Sequence, residues 1–139
     1  MLLVGIDPGE HTGLAVYDPA ARRLVECCTL PLHRALRRVE DLAAAGEIRV
    51  VFEDARQRTW FAPERSRAEY RGKLMGAGAA KRDARIWEEF LQDRGIPFSA
   101  RGPRAGATKW PADYWQRVTG WTGRTSEHAR DAALLVFGQ

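Results

Sequence analysis

Cysteine and histidine are scarce in this sequence, and long apolar runs are missing. There are two cysteines, the adjacent Cys27 and Cys28, and three histidines. Neighbours on a strand point to opposite faces, so a bridge between the two thiols would be strained and we expect both to be reduced. No run reaches the roughly 18 apolar residues of a membrane span, and the opening residues lack the layout of a secretory signal. We therefore expect a cytoplasmic protein without a membrane segment.

Length and charge favour one domain with a polyanionic partner. The sequence has 139 residues, of which 45% are hydrophobic and 29% are charged, as in an ordinary globular domain. Its net charge is +4, and the cations are concentrated in the middle of the chain, because residues 54–125 hold 15 Lys and Arg against 8 Asp and Glu. A basic region of this kind favours nucleic acid as the partner, although a solvated surface has the same composition.

Hydrophobic spacing predicts an α/β fold in the order β-β-β-α-β-α-β-α-α. The predicted strands cover residues 2–7, 12–17, 23–30, 48–53 and 96–100. The predicted helices cover residues 31–45, 73–94, 111–118 and 126–137. Short connections make the first three strands antiparallel neighbours, and a strand-helix-strand crossover implies a parallel pair. We expect a mixed five-stranded sheet with helices on both faces, and a long functional loop over residues 54–72.

Acidic residues end two of the predicted strands and open the last helix. Asp7 ends the first strand and Glu53 ends the fourth. Glu127, His128 and Asp131 lie at the start of the last helix, where residues three or four apart share a face. Carboxylates gathered from these places would repel one another without a counter-ion. Because Mg²⁺ prefers oxygen ligands and a pair of such ions can assist hydrolysis of a phosphodiester, the pattern predicts metal-dependent phosphodiester cleavage.

The basic middle of the chain offers candidate contacts to nucleic acid. The candidate phosphate contacts are Arg56, Arg58, Arg101, Arg104 and Lys109. Trp60 and Phe61 follow Glu53 in the arginine-rich segment, where an exposed aromatic ring can stack on an unpaired base. Packing of these rings on the domain's own core is an equally open interpretation. Binding through such cations would weaken steeply with salt.

Four segments carry a resemblance to a known family. Residues 5–9 (Gly-Ile-Asp-Pro-Gly), followed by Thr-Gly at 12–13, resemble the first motif of the RuvC-type Holliday junction resolvases, which are RNase H-like nucleases. Val-Phe-Glu at 51–53 lies where that family has a strand-borne glutamate, and the Gly/Ala-rich stretch 76–81 looks like part of its long helix. Residues 126–133 (Ser-Glu-His-Ala-Arg-Asp-Ala-Ala) are similar to its last motif.

The resemblance implies one RNase H-like nuclease domain over residues 1–139 that nicks four-way DNA junctions symmetrically. It implies a homodimer and two Mg²⁺ or Mn²⁺ ions per site. The small residues of the long helix at 73–94 would suit the dimer contact, or equally close packing on the sheet. By resemblance the metal ligands and catalytic residues are Asp7, Glu53, His128 and Asp131, and Lys109 acts at the phosphate. The short chain resembles the phage resolvases, which would act in the host cytoplasm, so the cellular cleavage preference does not transfer.

Two other functions fit the same residues. A YqgF-like RNA-processing nuclease shares the first motif but would prefer RNA and need no symmetric dimer. A nucleic-acid-binding module without catalysis would explain the basic middle, although the complete set of acids argues against it. An actin-like ATP-binding half would need a second phosphate motif and a longer chain.

Overall fold

A computed structural model describes residues 1–58, 66–103 and 109–139. The strands are β1 (Leu2–Asp7), β2 (His11–Asp18), β3 (Arg23–Pro31), β4 (Ile48–Glu53) and β5 (Phe98–Arg101). The helices are α1 (Leu32–Ala45), α2 (Arg67–Asp93), α3 (Ala112–Thr119) and α4 (Glu127–Leu134), with a 3₁₀ turn at Ala55–Gln57. The order of strands and α-helices along the chain is the predicted one.

The five strands form one mixed sheet in the order β3-β2-β1-β4-β5. β1, β2 and β3 pair antiparallel, whereas β4 is parallel to β1 and β5 is parallel to β4. This confirms the expected sheet and the antiparallel first three strands. Ile6 is paired with Phe52, so β1 and β4 end side by side. The two strand ends that carry acidic residues are therefore neighbours.

Helices cover both faces of the sheet, as predicted. Successive residues of a strand point to opposite sides. Val4 and Ile6 of β1 pack in a core layer with α1 and α2, which includes the fully buried Trp87. Leu3 packs in the second layer, with α4 and the fully buried Trp115 of α3. The odd-numbered face of β1, which also carries Asp7, is thus the face covered by α4.

Three predicted boundaries are wrong by two residues or more, and several others differ by one residue. α2 begins at Arg67, not at residue 73, so the end of the predicted loop over 54–72 is helical. The cause is a capping pattern in the sequence, because Ser66 accepts a hydrogen bond from the Glu69 backbone N–H. β5 begins at Phe98 and not at residue 96, and it follows Pro97, which has no N–H to donate. α4 ends at Leu134 and not at residue 137, in a tighter final turn.

The two cysteine thiols lie on opposite sides of β3. Cys27 and Cys28 are both free, and they pack in the two different layers. Alternation along β3 thus separates the thiols, as predicted. Across the described residues, no helix combines the length and the apolar character needed to cross a membrane.

Two glycines let α4 lie directly on the sheet. A Cβ at Gly5 of β1 would stand 2.1 Å from the Ala132 carbonyl oxygen. A Cβ at Gly13 of β2 would stand 1.9 Å from the carbonyl oxygen of His128. Gly13 is also the strand partner of Asp7. The absence of a side chain at these positions therefore brings the start of α4 beside Asp7.

We expect Gly13→Ala to destabilise the fold strongly, because the added methyl group meets a helix backbone that cannot rotate away. The free energy of unfolding should fall by about 3 kcal/mol or more. Gly46→Ala is the matched control, since nothing lies within 4 Å of a Cβ built at that position. Thermal unfolding of the two variants beside wild type measures the difference. Equal melting temperatures for Gly13→Ala and Gly46→Ala would show that α4 does not lie over β2 as described.

Candidate active site

The site is at the edge of the sheet where β1 and β4 end. Asp7 is the last residue of β1 and Glu53 is the last residue of β4. The β1–β4 pairing ends at Ile6 and Phe52, and Asp7 and Glu53 are the next residue on each strand. Alternation along the strands therefore puts both side chains on the same face of the sheet. Thr12, fully buried, donates a hydrogen bond to the Gly9 carbonyl oxygen at 2.7 Å and fixes the turn that follows Asp7.

α4 brings His128 to Asp7. The N-cap of this helix is Ser126, whose side chain accepts a hydrogen bond from the Ala129 N–H at 3.1 Å and also contacts the hydroxyl of Thr29 on β3. With the helix start fixed in this way, His128 Nδ1 lies 2.9 Å from Asp7 Oδ2. A carboxylate accepts, so Nδ1 carries the proton and Nε2 is the ring nitrogen that can accept a proton or bind a cation.

Asp131 and Lys109 complete the cluster. Asp131 lies one turn after His128 and shares its face of α4. Lys109 Nζ lies 4.0 Å from Asp131 Oδ2 and forms an ion pair with Glu127 Oε1. The structure thus brings Asp7, Glu53, His128, Asp131 and Lys109 to one place.

The carboxylates disturb one another's ionisation. Burial raises the pKa of Asp7, and the charge of Asp131 raises it further, while the hydrogen bond with His128 lowers it. Burial also raises the pKa of Glu53, to which the charges of Asp7 and Asp131 add. The positive charge of Lys109 opposes the rise at both residues. The side chains are close enough to interact, and their negative charge is only partly neutralised by the protein.

The side chains of Asp7, Glu53, Asp131 and His128 are of the types that bind hard divalent cations. Three carboxylates and one imidazole are ligands that Mg²⁺ and Mn²⁺ accept. Within residues 1–58, 66–103 and 109–139, no three His, Cys, Asp or Glu side chains already stand in a metal-binding geometry. Asp7 is turned toward His128, and Asp131 lies beside Lys109. Binding of a cation would therefore require the side chains of Asp7 and Asp131 to rotate, while the backbone stays in place.

The guanidinium of Arg56, a predicted phosphate contact, is bound by two carboxylates of the protein itself. Its Nε and Nη2 donate to the two oxygens of Asp54 at 2.8 and 2.9 Å, and Nη1 donates to Glu88 Oε2 at 2.8 Å. Asp54 is 4% exposed, and its hydrogen bonds with Arg56 lower its pKa. Arg56 thus joins the turn that follows Glu53 to Glu88 of α2.

We expect Arg56→Ala to lower the free energy of unfolding by about 2–3 kcal/mol, because it leaves the buried Asp54 carboxylate without its charged donor. Arg85→Ala is the control, since Arg85 is an exposed arginine of α2. Urea denaturation of both variants measures the two effects. If Arg56→Ala is no less stable than Arg85→Ala, the pairing with Asp54 does not stabilise this turn.

The other predicted nucleic-acid contacts lie in different surroundings. Arg58 is near the cluster, because its positive charge lowers the pKa of Glu53. Arg101 is the strand partner of Glu53 on β5, and its Nη2 donates to Gln139 Oε1 at 3.2 Å. Trp60, Phe61 and Arg104 lie outside the described residues.

A groove of about 650 Å³ lies between the 3₁₀ turn and the first half of α2. Its lining includes the cations Arg58, Lys73 and Lys81 and the apolar side chains of Leu74, Ala77 and Ala80. Arg58 connects the groove with the cluster, because it lines the groove and its positive charge lowers the pKa of Glu53. Cations beside apolar side chains suit a nucleic-acid strand, whose phosphates and bases need both kinds of contact.

Sequence reasoning missed two features of the site. Glu127 pairs with Lys109, which lies 18 positions earlier in the chain, and no local sequence pattern predicts this contact. The other is the start of α2. Ser66 followed three residues later by Glu69 is a capping pattern that predicts a helix start here, and it would have placed the groove-lining residues on a helix.

Comparison with known proteins leaves the family open. No model of a known protein family matches the chain, and a search of curated proteins finds no match either.

Proposed function

We propose that this protein is an RNase H-like, metal-dependent endonuclease that resolves branched DNA, with a four-way junction as the substrate. The observation that carries the proposal is the convergence of Asp7, Glu53 and Asp131 at one sheet edge, beside His128 and Lys109. The resemblance to the RuvC-type resolvases concerns the same residues. The order of elements and the mixed sheet are compatible with the RNase H-like fold.

Each side chain has a proposed role. Asp7, Glu53, Asp131 and His128 would hold two Mg²⁺ or Mn²⁺ ions, which would activate a water molecule and stabilise the leaving oxygen of the phosphodiester. The Lys109 ammonium would face a non-bridging oxygen of the phosphate and offset its charge. The Nε2 atom of His128, when not bound to a cation, would accept a proton.

The cations of the groove favour a nucleic-acid substrate. Arg58 lines the groove and also lies close enough to Glu53 to lower its pKa. A substrate that contacts both the cluster and the groove would be a polymer, which supports a nuclease over a small-molecule hydrolase. We place the activity in the cytoplasm, where DNA is accessible and the free thiols of Cys27 and Cys28 stay reduced.

Replacing Asp7 should separate cleavage from binding. We expect Asp7→Asn to slow cleavage of a labelled four-way junction in Mg²⁺ by about a thousandfold, because the charge at the centre of the cluster is lost. Junction affinity should be retained, since removing a negative charge does not weaken attraction to phosphate. Asp113→Asn is the matched control on the exposed surface of α3, where the carboxylate is 77% exposed. Wild-type cleavage by Asp7→Asn would make the assignment of the site wrong.

The same assay separates the alternative functions. Faster cleavage of an RNA substrate than of the junction would favour the RNA-processing nuclease. Binding of the junction with no cleavage in Mg²⁺ or Mn²⁺ would favour the non-catalytic binding module.

We also propose that the protein acts as a homodimer through the first half of α2. Among residues 67–82, all of which are described, none is buried against the protein's own core. A projecting half-helix with three glycines has low stability on its own. Met75, 78% exposed, shares one helix face with Ala68, Gly72 and Ala79, and small residues around a large apolar one permit close packing of a second helix.

A charge at Met75 should disrupt this dimer. We expect Met75→Asp to raise the dimer dissociation constant by about 30-fold or more, because the carboxylate would be buried between helices. Val118→Asp, at an exposed apolar residue of α3, is the control. Sedimentation equilibrium of the variants and wild type measures the change. A wild-type protein that stays monomeric at every concentration would contradict the dimer.

A further inference from the structure

Glu127 has no role in the chemistry described so far, yet it is the nearest partner of Lys109. The Lys109 ammonium forms an ion pair with Glu127 Oε1 and lies 4.0 Å from Asp131 Oδ2. Glu127 and Asp131 are four residues apart, so they share one face of α4 with a turn of helix between them. Lys109 reaches this face from the segment before α3.

The lysine needs such a partner to remain in place. Its side chain is 63% exposed and has four rotatable bonds, so it loses much conformational freedom when it is held in one position. Asp131, at 4.0 Å, is at the limit of an ion pair and is also required by the carboxylate cluster. Glu127, 51% exposed against 32% for Asp131, is the more exposed of the two carboxylates and is not one of the three proposed to hold a cation.

We propose that Glu127 is a positioning residue that holds the Lys109 ammonium at the rim of the carboxylate cluster, where a phosphate would enter. The inference rests on the proposed nuclease function and adds a residue to it. Glu127 acts only through Lys109 and contacts neither the substrate nor the reacting atoms. An exposed ion pair contributes little to stability, so the effect of Glu127 is on the rate of the reaction.

Kinetics of three variants test the proposal. Glu127→Gln keeps the size of the side chain and removes its charge, and we expect kcat for the four-way junction to fall about tenfold with KM and Tm unchanged. Lys109→Met should be slower still. The double variant should be no slower than Lys109→Met alone, because Glu127 has nothing to hold once the ammonium is gone. Glu89→Gln, an exposed glutamate of α2, is the matched control.

A charge exchange separates positioning from simple pairing. The variant with Glu127→Lys and Lys109→Glu restores an ion pair but moves the ammonium onto α4. We expect this variant to keep the wild-type Tm and to cleave as slowly as Lys109→Met. Wild-type cleavage by the exchanged variant, wild-type kcat in Glu127→Gln, or additive losses in the double variant would each overturn the proposal.

An NMR measurement distinguishes failure of this inference from failure of the nuclease assignment. The ¹³Cε relaxation of Lys109 should report a restricted side chain in wild type and a mobile one in Glu127→Gln. If wild type cleaves no junction but shows this difference, the proposed function is wrong and the holding contact is real. If Lys109 is equally mobile in both proteins, the positioning role is wrong whatever the protein cleaves.

Discussion

The backbone of α4 lies on two glycines of the sheet, and the candidate site depends on that close approach. Gly5 and Gly13 leave room for the carbonyl groups of Ala132 and His128, which a methyl group at either position would occupy. Because Gly13 is paired with Asp7, the first turn of α4 can only lie beside the end of β1. The distance between His128 and Asp7 thus follows from the packing of the α4 backbone on the backbone of the sheet.

The electrostatic character of the site follows from this geometry. Asp7 and Glu53 are brought together by the parallel pairing of β1 and β4, and α4 adds Asp131 to them. The hydrogen bond with His128 lowers the pKa of Asp7, and the positive charges of Lys109 and Arg58 lower that of Glu53, yet both pKa values remain raised. A fold that gathers charges of one sign and leaves them partly uncompensated is suited to a cationic ligand.

The sequence predicts those parts of the fold that depend on local patterns. Apolar runs that end in Asp7 and Glu53 indicate two central strands that could lie side by side. Their adjacency depends on the order of strands in the sheet, which the connections between strands do not determine. The pairing of Arg56 with Asp54 could not be predicted from the sequence, because it depends on how the 3₁₀ turn packs against α2. The same holds for Lys109, whose partner Glu127 is fixed by the placement of α3 and α4.

We propose that Asp7, Glu53 and Asp131 form one site for divalent cations. Calorimetric titration of Mn²⁺ into the protein tests this site most directly, with Mg²⁺ as competitor and Glu53→Gln as the comparison. We expect saturable binding by wild type, displacement by Mg²⁺, and a loss of most of the affinity in Glu53→Gln. Absence of saturable binding by wild type, or equal binding by Glu53→Gln, would contradict it.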